Sequence, residues 1–143
     1  MTQTDLPAAP APNRVLETAL YADDLDAATG FYQGLLGLEA FQTVPGRHVF
    51  YRIGEAVLLV FNAEATAAPS GNTRMPVPTH GAHGAGHVCF AMPRAQIARM
   101  RARLLAAGIA VDAEFDWPNG AHSLYVRDPA GNSVEFAEPW LWD

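Results

Sequence analysis

The chain has 143 residues, half of them apolar and 17% charged, the composition of one globular domain large enough to bury a core without disulfides. Fifteen Asp and Glu oppose nine Arg, with no Lys, for a net charge of −6. That balance argues against nucleic acid or an anionic membrane as partner and excludes Schiff-base and P-loop lysine chemistry. Cys89 is the single cysteine, so no internal disulfide forms, and the longest apolar run, Ala56 to Phe61, is far short of a membrane span. The opening residues carry neither the positive charge nor the apolar stretch of a secretory signal, and the expected location is the cytoplasm.

Residues 1–13, rich in Pro and Ala, read as a flexible tail. A strand is predicted over 15–22, with Asp23-Asp24 as a helix start. Leu25, Ala28, Tyr32, Leu35 and Leu36 form the apolar stripe of a helix that Gly37 stops. Strands follow at about 39–44, 48–53 and 56–62, with turns at Pro45-Gly46 and Gly54-Glu55. Residues 63–86 lack periodicity and read as a connecting loop.

The same order then returns. A strand over 87–92 leads into a helix that Pro93 starts and Gly108 ends, with Ile97, Met100, Leu104 and Leu105 as its apolar stripe. Arg94, Arg99, Arg101 and Arg103 read as its solvated face. Strands at about 109–115, 122–127 and 133–138 follow, the last two joined by a tight turn at Asp128-Pro-Ala-Gly-Asn132. Glu17 matches His87, Gly37 matches Gly108, and Gly46–Tyr51 matches Gly120–Tyr125, so the chain is an internal duplication. The fold class is α+β: two βαβββ modules, 14–62 and 87–139, joined by loop 63–86 within one domain over 14–143. Each module has a helix on one sheet face only, so the two need each other, or a second chain, to complete a core.

Strand alternation sorts the side chains by face. Leu16, Thr18 and Leu20 point toward the helix and Glu17, Ala19 and Tyr21 away from it. Val88, Phe90 and Met92 likewise leave His87, Cys89 and Ala91 on the opposite face, and Val134 and Phe136 leave Glu135 and Ala137 there. Glu17, His87 and Glu135 thus share the face away from the helices, where a carboxylate in an apolar strand needs a partner or a metal. Read singly, Glu17 is an Arg-paired or half-exposed residue, His87 a structural histidine and Glu135 a solvated edge residue. Read together, they are three metal-competent side chains on one surface, which leaves a metal site and a structural role both open.

The run Leu16-Glu-Thr-Ala-Leu-Tyr-Ala-Asp-Asp-Leu25 into Phe31-Tyr32 and Leu36-Gly-Leu38, the opening His87-Val-Cys-Phe90, and Ser123-Leu-Tyr-Val-Arg-Asp-Pro-Ala-Gly-Asn-Ser-Val-Glu135 resemble the vicinal oxygen chelate superfamily. That group includes glyoxalases, extradiol dioxygenases and the bleomycin- and fosfomycin-resistance proteins. The resemblance covers about 14–140 and implies paired βαβββ modules forming an open eight-stranded cup around one divalent metal ion. The family ligand positions fall on Glu17, His87 and Glu135. A fourth, glyoxalase-type Glu is missing, since the duplication sets Leu58 opposite Glu135. One His and two carboxylates suit Mn²⁺, Fe²⁺, Zn²⁺ or Ni²⁺, with Glu17 or Glu135 as catalytic base.

The expected activity is a glyoxalase-like, Lewis-acid-catalysed lyase or isomerase reaction on a small oxygenated substrate, in a homodimer. The alternatives are a metal-free drug-sequestering protein of the bleomycin-resistance type and a dioxygenase. Tyr125, Ser123 and Cys89 are expected to look into the cup as substrate contacts. His80, with His83, sits on a loop able to close over it, and Trp117 and Arg47 border the opening. His48 and His122 match each other in the duplication and read as structural.

Overall fold

The computed structural model describes residues 2–143. Its first module runs β1 (Glu17–Tyr21), α1 (Leu25–Thr29, extended by a π turn over Gly30–Leu35), β2 (Glu39–Val44), β3 (His48–Ile53) and β4 (Ala56–Phe61). A short α2 (Ala63–Ala67) opens the connection. The second module runs β5 (His87–Ala91), α3 (Arg94–Ala106), β6 (Ala113–Asp116), β7 (His122–Arg127) and β8 (Ser133–Ala137). Each module makes one four-stranded sheet, ordered β1-β4-β3-β2 and β5-β8-β7-β6, and the sheets are not closed into a barrel. β1 with β4 and β5 with β8 are parallel; the remaining pairs are antiparallel. Among the described residues no helix is long and apolar enough to cross a membrane.

The alternation read from the sequence is the one that builds the core. Leu20, Tyr51, Leu58, Val60, Phe90, Leu124, Val126, Val134 and Phe136 from both sheets meet Phe31, Tyr32, Ile97 and Leu104 from the helices in a single apolar cluster. Asp24 caps α1 by accepting the Ala27 N–H. The expected regular helix then widens, the Leu36 N–H donating to the Phe31 carbonyl five residues back, and the wider turn buries Phe31 and Tyr32 side by side.

Three local expectations change. The connection 63–86 opens with helix α2, because Asn62 accepts the Glu64 and Ala65 N–H groups and caps it. β6 begins at Ala113 rather than at 109, since pairing starts at Ala113 opposite Tyr125 while Ile109 and Val111 pack on the core without a ladder. All four α3 arginines are exposed, but three of them are also bonded rather than simply solvated. Arg94 bonds Asp116, Glu138 and the Gly120 carbonyl, Arg101 bonds Glu114, and Arg103 donates to the Gly34 and Leu35 carbonyls of the other module.

The turn between β7 and β8 also ties the modules together. Gly131 takes the left-handed φ of 86° that lets the chain reverse. Buried Asp128 accepts the Tyr32 hydroxyl at 2.6 Å and the Asn132 amide at 2.9 Å. Asn132 in turn bonds the Tyr21 carbonyl and the Gly86 N–H. Burial and the Asp128 carboxylate raise the Tyr32 pKa, so the phenol keeps its proton and donates.

Candidate functional site

The face of the second sheet turned away from α3 carries a connected polar set. Glu135 is buried on β8, with Oε2 accepting the Ser123 hydroxyl at 2.6 Å; Ser123 Oγ in turn accepts the Trp117 indole N–H at 2.8 Å. The other oxygen, Oε1, lies 3.3 Å from His87 Nε2. His87 Nδ1 sits 3.0 Å from the Ser133 carbonyl oxygen, which can only accept, so Nδ1 carries the proton. In the neutral ring, Nε2 and Oε1 are then two lone-pair donors facing one another with no proton between them. Such a pair calls for a shared proton or a cation.

Tyr125 stacks along His87 and Phe115, and Phe115 meets Trp117 edge-on, so an aromatic row borders the carboxylate. Burial and then the Glu135 carboxylate push the Tyr125 phenol up to about 12. Packing and the same carboxylate push the Cys89 thiol up to about 12 as well. Both therefore hold their protons at neutral pH, and the Tyr125 phenol can donate a hydrogen bond.

The corresponding face of the first sheet is different. Glu17 is exposed at its edge and lines a cavity of about 800 Å³ that residues 70–80 overhang. Leu59, Phe50 and Phe61 form its apolar floor, with Met75 and Val77 from the overhanging segment. The Tyr21 hydroxyl and His80 Nδ1 share a 2.6 Å hydrogen bond, and the His80 ring meets Phe61 edge-on, which pins that segment over the sheet. Arg47 also lines this cavity. His80 and Arg47 therefore belong to the first module's face, whereas Ser123, Tyr125, Cys89 and Trp117 belong to the second.

Strand register corrects two readings. Ala19 pairs with Leu59 as Cys89 pairs with Glu135, so Leu59, and not Leu58, is the counterpart of Glu135; Leu58 lies in the core. The fourth carboxylate is still absent at that position. Phe50 pairs with Leu59 as Tyr125 pairs with Glu135, which makes His48 the counterpart of Ser123 rather than of His122. A slip of one residue changes the face. His48 lines the cavity, 6% exposed, stacked on Phe50 at 4.0 Å, with both ring nitrogens lacking a hydrogen-bond partner among the described residues. His122 sits on the other side of its sheet between Asp116 and Glu114, as a structural residue does.

One chain thus brings His87 and Glu135 together and holds Glu17 on the other module. Among the described residues no group of three or more His, Cys, Asp or Glu side chains is placed to hold a metal ion. The donor chemistry nonetheless fits half of a metal site. A histidine whose Nδ1–H is fixed by a carbonyl, beside a carboxylate fixed by a hydroxyl, is how proteins orient metal ligands. The 3.3 Å between Nε2 and Oε1 is a spacing that two ligands about 2.1 Å from one ion have. Two ligands are too few to hold such an ion.

Residues 14–136 match the model of the Glyoxalase/Bleomycin resistance protein/Dioxygenase superfamily. Among solved structures, the chain is similar to a lactoylglutathione lyase from Agrobacterium tumefaciens, at 45% identity over 94% of this chain and 98% of that one, with a TM-score of 0.87. A glyoxalase/bleomycin resistance protein/dioxygenase from Nocardioides shares the fold at 22% identity, covering 95% of this chain and 88% of its own, with a TM-score of 0.67. So does a glyoxalase family protein from Bacillus anthracis, at 18% identity over 92% of this chain and 98% of that one, with a TM-score of 0.67. No curated protein matches the chain.

Proposed function

The chain belongs to the Glyoxalase/Bleomycin resistance protein/Dioxygenase superfamily, and from that membership we propose that it is a metal-dependent, glyoxalase-like lyase or isomerase whose site is completed by a second copy. The observation that carries this reading is the 3.3 Å approach of His87 Nε2 to Glu135 Oε1, each side chain oriented from behind by a hydrogen bond. The similarity to a lactoylglutathione lyase supports the reaction class.

His87 and Glu135 would hold the ion together with Glu17 of the second copy. Glu17 occupies in the first sheet the position that His87 occupies in the second, since Glu17 pairs with Val57 as His87 pairs with Ser133. β1 and β5 are the edges of their sheets and touch each other without forming a ladder among the described residues, and Val15 and Leu16 are exposed beside β1, apolar surface that a second copy would cover. A divalent ion bound there, Mn²⁺, Fe²⁺, Zn²⁺ or Ni²⁺, supplies Lewis-acid polarisation of neighbouring substrate oxygens.

The remaining roles fall to the chain's own groups. Tyr125, with its proton retained, donates a hydrogen bond to a substrate oxygen. Ser123 and Trp117 keep Glu135 aimed, and Glu17 or Glu135 takes the proton from carbon. Titration of untagged, chelator-treated protein with Mn²⁺ or Zn²⁺ tests the reading. Binding should be stoichiometric, should weaken in acid because metal ligands must be deprotonated, and should vanish in His87→Ala. Unchanged metal content in His87→Ala and Glu135→Ala would end it.

A further inference from the structure

We propose that His48 is the polar recognition group of the first module's cavity, which takes the organic part of the substrate: an uncharged, ring-sized apolar group bearing one hydroxyl or carbonyl oxygen. The inference rests on the catalytic reading above and adds a substrate class to it. The cavity, at about 800 Å³, is in the range of small-molecule sites, and its floor is apolar, with Phe50, Phe61 and Leu59. His48 interrupts that floor with two ring nitrogens that are sealed from solvent and unpaired.

Leaving a buried polar atom unpaired is costly, and folds tolerate such atoms mainly where function supplies the partner. The ring is held in place by the parallel stack on Phe50 at 4.0 Å and an edge contact with Phe61, and both nitrogens are covered, so a ligand oxygen reaches them by displacing the side chains over them. Burial, and then the neighbouring Arg47 charge, hold the imidazole pKa below its ordinary value, so the ring is neutral near pH 7. A neutral imidazole offers one donor and one acceptor, which suits a hydroxyl or a carbonyl and does not balance a carboxylate or an ammonium group. The ladder position agrees. Ser123, the counterpart of His48 in the second sheet, is the residue that hydrogen-bonds the central carboxylate.

The test uses the full chain, free of metal, with benzyl alcohol and its apolar isostere ethylbenzene as probes. Calorimetry and the ¹⁵N shifts of the His48 ring are the readouts. His48→Phe should lower benzyl alcohol affinity about tenfold, the worth of one hydrogen bond, and leave ethylbenzene affinity unchanged or higher. His48→Gln, which keeps a donor and an acceptor, should keep most of the alcohol affinity. In the wild type, the ring nitrogens should shift with the alcohol and not with ethylbenzene. Equal losses for both probes in His48→Phe, unshifted ring nitrogens, or no binding of either probe would overturn the proposal. Binding confined to dilute, dissociated protein would overturn it too, since a second copy then fills the cavity. A chain that binds Mn²⁺ but neither probe loses only this inference; one that binds benzyl alcohol through His48 but no Mn²⁺ loses the catalytic reading.

Discussion

The two sheet faces turned away from the helices share a register and differ in chemistry. At matched ladder positions the first sheet presents Glu17, Leu59, Phe50 and His48, and the second presents His87, Glu135, Tyr125 and Ser123. The second is a hydrogen-bonded polar chain ending in a carboxylate. The first is an aromatic hollow with a carboxylate at its edge and an unpaired imidazole in its floor. Duplication kept the backbone ladder, which the shared core demands, and left the outward face free to diverge because nothing in the core depends on it. Neither face alone has both the donors for a metal and the room for an organic ligand.

The comparison is most directly broken at the polar face. Glu135→Ala and His87→Ala should each abolish detectable Mn²⁺ and Zn²⁺ binding by calorimetry while leaving the folded circular dichroism spectrum unchanged, since neither side chain belongs to the core cluster. Glu17→Gln, on the other face, should weaken metal binding without abolishing it, and Glu17→His should retain it with an altered Mn²⁺ to Zn²⁺ preference, because an imidazole is a softer ligand than a carboxylate.

Ser123→Ala should cost about 1–3 kcal/mol in urea unfolding, as it strips buried Glu135 of its donor, and should weaken metal binding by about tenfold or more through the loss of orientation. The link between modules is probed by Tyr32→Phe. It removes the hydroxyl donated to buried Asp128 and should destabilise the chain by about 2 kcal/mol, readable as a shift in urea midpoint.

The smallest expected effects concern the two histidines that sequence alone pairs with each other. At His122 burial lowers the pKa, but the Glu114 and Asp116 carboxylates outweigh it, so the folded value lies above the ordinary 6.5. Its contribution to stability is present below 6.5 and is lost as pH rises through the raised value. At His48 the folded value lies below 6.5, so its contribution is present above 6.5 and is lost as pH falls through the lowered value. Thermal melts across pH 5–8 should therefore lose their alkaline decline in His122→Gln and part of their acid decline in His48→Phe.

Much of this was legible in the sequence because alternation is a local signal. The facing of Glu17, His87 and Glu135 away from the helices follows from Leu20, Phe90 and Phe136 lying in the core. Sequence matching puts His48 on the wrong face for a simple physical reason. The second module has one more residue between Gly120 and its ladder than the first has after Gly46, so matching Tyr51 with Tyr125 shifts the alignment by one and reverses the face. The same kind of slip exchanges Leu58 and Leu59. The Trp117–Ser123–Glu135 chain and the Tyr32–Asp128–Asn132 staple join residues whose partnership depends on tertiary packing, which no periodicity encodes. The separation of Glu17 from His87 within one chain has the same origin: alternation fixes the face of a strand and says nothing about which copy of the opposite module completes it.

The central claim, a metal site built from two copies, is tested most directly by mixing two defective chains. Glu17→Ala keeps His87 and Glu135, and His87→Ala keeps Glu17; each alone should bind Mn²⁺ poorly or not at all. After the two are unfolded together and refolded, the mixed dimers contain one intact site, and the account predicts that tight Mn²⁺ binding returns in the mixture. If the mixture binds no more Mn²⁺ than the two variants measured separately, the ligands do not come from two chains, and the account is contradicted.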